Sequence, residues 1–274
     1  MDEKDMEMKR LLLEMLAWFH EYCQVHGLRY YVVGGTFLGA VRHQGFIPWD
    51  DDVDVGMPRE DYDRFAKLME AEPHSRYRYE TPENGGWDFF YPYSKIYDTT
   101  TTLQENTRYK IKRGLFLDVF PLDGVGDTEE EARKRIAEIE RKRSVLLTLT
   151  TGIRKGRKGY KNLAVLAMRV VPDWLINKKR MLAAVHRPNC IESFEQSGWA
   201  GNLMGKLNGS EIMPRSYYGT PKEYPFENIT VYGPENAEAY LSAIYGDWRK
   251  LPPEEKRNAV HDILYCDFHK GYLD

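Results

Sequence analysis

The chain has 274 residues, of which 42% are hydrophobic and 30% are charged, and its formal net charge is −3. This composition supports a large folded core and excludes a globally disordered chain, and no apolar run is long enough to predict a membrane-spanning helix. The acidic N-terminal residues lack the apolar stretch of a secretory signal. The three cysteines are widely spaced and form no C-x-x-C pair, which argues against a zinc finger and favours a reducing compartment. We therefore expect a cytoplasmic protein.

The first 125 residues alternate between helical and strand patterns. Apolar residues at helical spacing predict a helix over 5–26 that ends at Gly27. A short helix is predicted to open at Thr36, and another to begin near Pro58. Five strands are predicted: LRYYVVGG, WDDDVDVG, one near 76–81, one near 88–97, and LFLDVFPLDG with a turn over 121–124.

From Thr128 onwards the pattern becomes mainly helical. Thr128 and Glu131 form a capping box that starts a long charged helix ending near 151. After a basic, glycine-rich break, a further helix is predicted with Asp173 as its cap. The FENITVYGP stretch then predicts a short β region, and a helix over about 235–245 is predicted to end at Gly246.

We therefore predict an α/β (α+β) fold with a mixed sheet core and helical elaborations. Three segments are expected: a catalytic core at 1–125, a basic helical insertion at 126–190, and a C-terminal segment at 191–274 that packs back on the core.

The charge is unevenly distributed. Residues 133–187 contain 16 Lys/Arg and 3 Asp/Glu, a balance of +13, so the rest of the chain carries −16. Such asymmetry indicates an anionic partner on one face, either lipid headgroups or a polyanion. The alternative is a solvated helical face without a partner.

The strongest chemical pattern is the acidic run from Asp50 to Asp54. Side chains alternate across a strand, so Asp50, Asp52 and Asp54 would share one face, with Asp51 and Val53 on the other. Carboxylates crowded on one face repel each other, and a divalent cation removes that repulsion. The alternative is an acidic surface loop, against which the flanking valines argue.

Two further features accompany the acidic run. One is the turn between a predicted strand and a predicted helix, formed by Gly34, Gly35 and Thr36. Backbone N–H groups at the start of a helix can bind a phosphate, although a Gly-Gly turn alone is a weak signal. Asp118 lies within the apolar strand LFLDVF, where a carboxylate is seldom buried unless it is paired or metal-bound. The alternative for Asp118 is a structural salt bridge to an arginine, and Asp123 is expected to form a turn before Gly124.

A strand, a Gly-Gly turn, a D-x-D strand and a later strand with a third Asp match the nucleotidyltransferase superfamily pattern. In that pattern, two carboxylates hold Mg²⁺ against phosphate oxygens. The third carboxylate completes a second metal position and helps to deprotonate the attacking hydroxyl.

The segment GGTFLGAVRHQGFIPWDDDVDVGMPREDYDRF resembles the LicD-type phosphocholine transferases, a family that includes the fukutin-like enzymes. SKIYDTTT, LFLDVFPLDG and YGDWRKLPPEEKR extend the resemblance over nearly the whole chain. It implies a nucleotidyltransferase fold and metal-dependent transfer of phosphocholine from CDP-choline to a glycan hydroxyl, releasing CMP. The implied catalytic and metal-binding residues are Asp52, Asp54 and Asp118 with two Mg²⁺ (or Mn²⁺) ions, while Asp50 and Asp51 have supporting roles.

Several other residues are candidates for substrate contacts. Phosphate is expected to bind at Gly34, Gly35 and Thr36. The diphosphate charge is expected to be neutralised by Arg42 and Lys95, although an isolated basic residue is usually a solvated surface group. Candidates with open roles are His43 and His261 and, for cation–π contact with the headgroup, Trp49, Trp87 and Tyr91.

The resemblance implies an acceptor of the teichoic acid or lipopolysaccharide type, often a lipid-linked intermediate. We therefore expect peripheral contact between residues 133–187 and an anionic membrane at the inner face of the cell membrane, and no nucleic-acid partner. Alternative functions are a transferase of the same fold with another CDP-linked or nucleoside triphosphate donor, and a membrane- or polyanion-binding module with a degenerate site.

Overall fold

The computed structural model describes residues 3–153, 159–169, 177–188, 191–205, 209–259 and 261–274. It confirms the predicted α/β class, with a mixed sheet and helical elaborations. The helices of the described residues are α1 Glu3–His26, α2 Gly34–His43, α3 Arg59–Ala71, α4 Glu129–Thr150, α5 Gly159–Arg169, α6 Lys178–His186 and α7 Ala237–Tyr245. The strands are β1 Tyr31–Val32, β2 Asp54–Pro58, β3 Tyr77–Glu80, β4 Ser94–Asp98, β5 Thr102–Glu105, β6 Lys112–Arg113, β7 Phe116–Gly124, β8 Trp199–Asn202, β9 Ile212–Pro214, β10 Lys222–Phe226, β11 Ile229–Gly233 and β12 Ile263–Asp267.

The main sheet is built around β7, whose nine residues are all buried. Its strands lie in the order β1-β2-β7-β4-β3, and β8 pairs with β7 and with β9. β2 and β7 are parallel, whereas β4 and β8 both run antiparallel to β7. β4 pairs with the first half of β7 and β8 with its last three residues, so a gap separates them along one edge of β7.

The core lies between this sheet and helices α1 and α3. The predicted first helix is confirmed, and its Leu12, Met15, Leu16 and Phe19 have no solvent exposure. Each such side chain contributes about 1.5–3 kcal/mol to folding. Phe19 packs edge-on against Phe65 of α3, with ring centroids 5.3 Å apart. The apolar spacing of both helices therefore matches the face that each one buries.

Three predicted element boundaries are wrong. β2 begins only at Asp54, because its partner β1 ends at Val32, just before α2 starts at Gly34. Strand alternation therefore does not explain how Asp50 and Asp52 are oriented. The short helix opens at Gly34 rather than at Thr36, and the strand expected near 88–97 begins at Ser94.

The turn predicted over 121–124 is also wrong. Pairing with β2 and β8 keeps the chain extended there, and Asp123 is buried within β7 instead of forming a turn. Its carboxylate accepts two hydrogen bonds from Arg59, at 2.8 and 2.7 Å. This ion pair gives the acidic side chain a structural reason to lie in a buried strand.

The later elements agree with the predictions where they are described. The capping box of Thr128 and Glu131 starts α4, the FENITVYGP stretch lies on the β10–β11 hairpin, and α7 ends at Gly246. Asp173, the predicted cap of the next helix, lies outside the described residues, as does Cys190, and in the described residues α6 begins at Lys178 with Asn177 as its cap. The division into segments 1–125, 126–190 and 191–274 stays a prediction. None of the described helices has both the length and the apolar character required to cross a membrane.

Candidate active site

Three charged side chains lie in one row across the centre of the main sheet. Asp54 on β2 is the register partner of Asp118 on β7, and Asp118 is the register partner of Lys95 on β4. Register partners project from the same face of a sheet, and neighbouring strands lie about 4.8 Å apart. Lys95 Nζ lies 2.6 Å from Asp118 Oδ1, and both side chains are almost fully buried. Sheet pairing therefore brings together charged groups that are distant in sequence.

Lys95 compensates the negative charge of Asp118. Its ammonium lies 3.3 Å from the centroid of the Phe116 ring and 4.4 Å from that of Tyr91. Burial raises the pKa of Asp118, and the Lys95 ammonium opposes that rise. Asp118 thus forms the ion pair that we considered as an alternative, but with a lysine rather than an arginine. This pairing does not exclude a role in metal binding, because Asp118 also faces the site.

The acidic run reaches β2 through an irregular segment. Asp50 and Asp52 line the same cavity as Asp54, whereas Asp51 lines a neighbouring cavity. The backbone N–H of His261 donates to Asp51 Oδ2 at 3.1 Å, and its ring Nδ1 lies 3.2 Å from Asp51 Oδ1. No regular strand fixes the direction of the Asp51 side chain. His261, in the C-terminal segment, orients it instead.

The glycine turn lies directly against this acidic run. Gly34 has φ +54°, a conformation that favours glycine. A Cβ on Gly35 would come within 2.8 Å of Asp50 Oδ2, so only glycine allows the carboxylate this close to the start of α2. The Thr36 hydroxyl oxygen accepts the N–H of Asp54 at 2.9 Å and joins α2 to β2.

These elements enclose a cavity of about 730 Å³, here called the carboxylate cavity after Asp50, Asp52, Asp54 and Asp118. Of the other predicted residues, Gly34, Gly35 and Arg42 also line it. Thr36 is buried behind it, and Lys95 lines a smaller adjoining cavity of about 200 Å³ that also includes His261. Arg42 donates from Nη1 to the Trp248 carbonyl oxygen at 2.7 Å, and from Nε to His43 at 3.0 Å.

The carboxylate cavity presents several oxygen ligands of the kind that divalent metal ions bind. Burial, together with the neighbouring Asp52 and Asp51 carboxylates, raises the pKa of Asp50 to about 8. The part of this shift that comes from Asp52 and Asp51 is repulsion between carboxylates, which a bound cation would relieve. Carboxylate oxygens are hard ligands that Mg²⁺ and Mn²⁺ prefer. The donor set is thus consistent with the expected metals.

The aromatic candidates are separated by the fold. Trp49 lines the carboxylate cavity, and Arg257 lies 5.5 Å from its ring centroid. Tyr91 lines the smaller cavity, where its hydroxyl donates to Glu105 at 2.6 Å. Trp87 is 72% exposed and is not among the described residues that line either cavity.

Sequence reasoning missed one wall of the carboxylate cavity. Asn202 and Glu211, from the β8–β9 region, line it together with Tyr93 and Phe120. Asn202 Nδ2 donates to Glu211 Oε2 at 2.8 Å, and both side chains are buried. The one usable signal was Phe120, which shares a strand face with Asp118. Nothing local in the sequence distinguishes Asn202 or Glu211 from a loop residue.

Comparison with known proteins agrees with this architecture. A family model described as "LicD/FKTN/FKRP, nucleotidyltransferase domain" matches residues 27–146, which include Asp52, Asp54, Lys95 and Asp118. The lipopolysaccharide cholinephosphotransferase LicD of Haemophilus influenzae is 28% identical over 258 residues, covering 93% of this chain and 95% of that protein.

Shorter matches extend to other phosphotransferases. The human ribitol 5-phosphate transferase FKRP is 41% identical over 66 residues, which is 24% of this chain and 13% of that protein. The mouse protein of the same name matches to the same extent. The family match, the near full-length similarity to LicD and the carboxylate cavity together support a phosphotransferase enzyme that resembles LicD.

Proposed function

We propose that this protein transfers phosphocholine from CDP-choline to a hydroxyl of a cell-surface glycan precursor and releases CMP. The observation that carries the proposal is the convergence of Asp50, Asp52, Asp54 and Asp118 in one cavity against the glycine turn that opens α2. A cavity of about 730 Å³ is within the range of small-molecule sites. The similarity to a lipopolysaccharide cholinephosphotransferase supports the choice of phosphoryl group and acceptor.

In this proposal, Asp52, Asp54 and Asp118 would hold two Mg²⁺ or Mn²⁺ ions, whose charge would neutralise the donor diphosphate and stabilise the leaving CMP. The first-turn amides of α2 at Gly35 and Thr36 add donors for phosphate oxygens, since first-turn N–H groups have no acceptor within a helix. Arg42 and Lys95 add positive charge around the diphosphate. Asp50 and Asp51 add negative charge around the metal ions and have only this supporting role.

The reaction is an in-line displacement at the phosphorus that carries choline. The acceptor oxygen forms a bond to this phosphorus as the bond to the CMP oxygen breaks, and CMP leaves with that electron pair. Asp118 takes up or orients the proton of the acceptor hydroxyl. Lys95, 2.6 Å from Asp118, favours the ionised form of that carboxylate, which can accept the proton. Positioning and electrostatics supply most of the rate enhancement.

The acceptor is proposed to be a teichoic acid or lipopolysaccharide precursor that is linked to lipid. We place the enzyme in the cytoplasm, in peripheral contact with the inner face of the cell membrane. Residues 133–187, with their balance of +13, supply the attraction to anionic lipid. The exposed apolar side chains of α5 support this surface, since Tyr160, Leu163 and Leu166 are each more than half exposed.

A second candidate is a transferase that uses another CDP-linked donor, such as a CDP-alditol. The match to a ribitol 5-phosphate transferase favours it over a nucleoside triphosphate donor. Both candidates use the same carboxylates, so they differ in the group that is transferred rather than in the chemistry.

CMP release tests the proposal. The protein is incubated with Mg²⁺ and a panel of CDP-choline, CDP-ethanolamine, CDP-glycerol and CDP-ribitol, with and without excess EDTA. We expect release from CDP-choline that chelation abolishes. Undiminished release in excess chelator would exclude the metal-dependent mechanism. A preference for an alditol donor would favour the second candidate, and no release from any donor would favour a binding module.

A further inference from the structure

The acidic run lies in a segment without regular secondary structure, between the end of α2 at His43 and the start of β2 at Asp54. Within this segment the Asp50 N–H donates to the Ile47 carbonyl oxygen at 3.0 Å and closes a turn. An irregular segment fixes the direction of its side chains less firmly than a paired strand does. The positions of Asp50 and Asp52 in the carboxylate cavity therefore depend on contacts with other parts of the chain.

One such contact comes from a buried lysine of α1. Lys9 Nζ donates to the carbonyl oxygens of Ile47 and Pro48, at 3.0 and 2.9 Å. Lys9 is only 9% exposed. Hydrogen bonds from a charged donor are stronger than those between neutral groups. Lys9 therefore ties the backbone two and three residues before Asp50 to α1.

The helix α1 is a rigid support for this contact. Lys9 lies three residues before Leu12 and seven before Leu16, on the helix face that packs into the core. Both leucines have no solvent exposure. An ammonium on such a face is costly unless its donors are satisfied. The two carbonyl oxygens compensate that cost, which explains why a lysine occupies this position.

The Lys9 ammonium also interacts electrostatically with the acidic run. Burial lowers the pKa of Lys9, and among the neighbouring charges the Asp50 carboxylate opposes that shift most. Lys9 lines the neighbouring cavity of about 610 Å³ together with Asp50 and Asp51. It is not among the described residues that line the carboxylate cavity, so it acts on that cavity through the loop.

We propose that Lys9 is a positioning residue, which holds the acidic run so that Asp50 and Asp52 face the carboxylate cavity. The inference rests on the proposed function, because it concerns the carboxylates that are proposed to surround the metal ions. It extends the functional machinery to α1, which precedes the residues 27–146 that the family model matches.

Calorimetric Mg²⁺ titration of Lys9→Met tests the inference. Methionine keeps an unbranched side chain but removes the charge and both hydrogen bonds. Loss of a positive charge near carboxylates would by itself strengthen cation binding, so weaker binding by the folded variant would come from lost positioning. We expect Mg²⁺ affinity to fall about tenfold, the lower end for groups that orient metal ligands. Unchanged or stronger binding would overturn the inference.

The matched control is Lys67→Met, which removes an exposed lysine of α3. Lys67 is not among the described residues that line either cavity, so Mg²⁺ affinity should stay unchanged. If Lys9→Met fails to fold, Lys9→Gln retains an N–H donor on a shorter, neutral side chain. This variant should show the same loss to a smaller extent.

Hydrogen exchange tests the positioning without metal. In the metal-free protein, the amides of residues 50–52 should exchange about tenfold faster in Lys9→Met than in wild type, whereas those of β7 should be unchanged. Equal exchange over 50–52 would contradict the inference, and so would an equal increase in β7, which would show a general loss of stability. A wild type that binds no Mg²⁺ would contradict the proposed function instead, and faster local exchange in Lys9→Met would still support positioning by Lys9.

Discussion

The carboxylate cavity and the basic helical segment obtain their properties in opposite ways. At the cavity, strand register places Asp54 beside Asp118 and Asp118 beside Lys95, and the side chains of Asp118 and Lys95 are almost fully buried. In the helical segment, α5 buries Val165 but leaves Leu163 and Leu166 66% and 51% exposed. The first region keeps charges inside the protein, and the second leaves apolar side chains outside.

This contrast separates two kinds of evidence for function. A buried charge is costly, so its position requires a compensating group, here Lys95 and the proposed metal ions. An exposed leucine costs little, so it indicates function only together with another property of the surface. For α5 that property is the strong positive charge of residues 133–187.

The largest effect is expected for Asp118→Asn. The variant removes a proposed metal ligand and proton acceptor, so CMP release should fall by about 10²-fold or more. It also leaves the buried Lys95 ammonium without its carboxylate, which should lower the free energy of unfolding by about 3–5 kcal/mol. Activity assays and denaturant unfolding measure the two effects separately.

The double variant Lys95→Met, Asp118→Asn isolates the two contributions. Removing both charges should restore much of the stability, since buried pairs are often replaceable by apolar groups, but it should not restore turnover. If the double variant recovered CMP release as well, Asp118 would be a structural residue only. Wild type with and without Mg²⁺ provides the reference for both measurements.

The next largest effect concerns the ion pair that joins the two regions. Arg59 donates to Asp123 of β7 and, at 2.9 Å, to the His186 carbonyl oxygen of α6. Asp123→Asn should therefore lower the free energy of unfolding by about 3–5 kcal/mol. Asp123 is not among the described residues that line the carboxylate cavity, so the folded fraction should release CMP within twofold of wild type. A stable variant with lost turnover would contradict this division.

The sequence predicted the elements better than it predicted the contacts between them. Apolar spacing identified α1, and an apolar run on both strand faces identified the buried strand that carries Asp118. It could not identify Lys95 as the partner of Asp118 or Arg59 as that of Asp123, because the register of distant strands leaves no local pattern. The same limit applies to Glu211, which directly precedes β9 and reaches the cavity because β9 pairs with β8 and β8 with β7. Asp50 and Asp52 were correctly grouped with Asp54, but the strand alternation given as the reason was wrong.

A smaller effect is expected at His261, which orients Asp51 beside the proposed metal ligands. His261→Ala should weaken Mg²⁺ binding or activity by about 10-fold, the lower end for groups that orient metal ligands. His261→Asn should recover most of the loss, since its amide can replace the contact from Nδ1 to Asp51. His261→Gln serves as the matched control, because its amide lies nearer the position of Nε2. Calorimetric Mg²⁺ titration and melting temperature are measured together, and a loss of stability with unchanged Mg²⁺ affinity would make His261 purely structural.

The smallest effect is expected on the exposed face of α5. Changing Leu163 and Leu166 together to serine should weaken binding to anionic liposomes about fivefold, because less apolar surface enters the headgroup boundary. The matched control changes both to isoleucine, which keeps the apolar surface. Flotation at low and high salt separates the apolar from the electrostatic contribution, since salt screens the attraction of the basic residues to the lipid but not the burial of leucine. Equal binding of wild type to neutral and anionic liposomes would contradict the proposed attraction between residues 133–187 and anionic lipid. If the serine variant instead changed the oligomeric state and left flotation unaltered, α5 would be covered by a second copy of the chain, and the contrast between a buried charged site and an exposed membrane-facing surface would no longer hold.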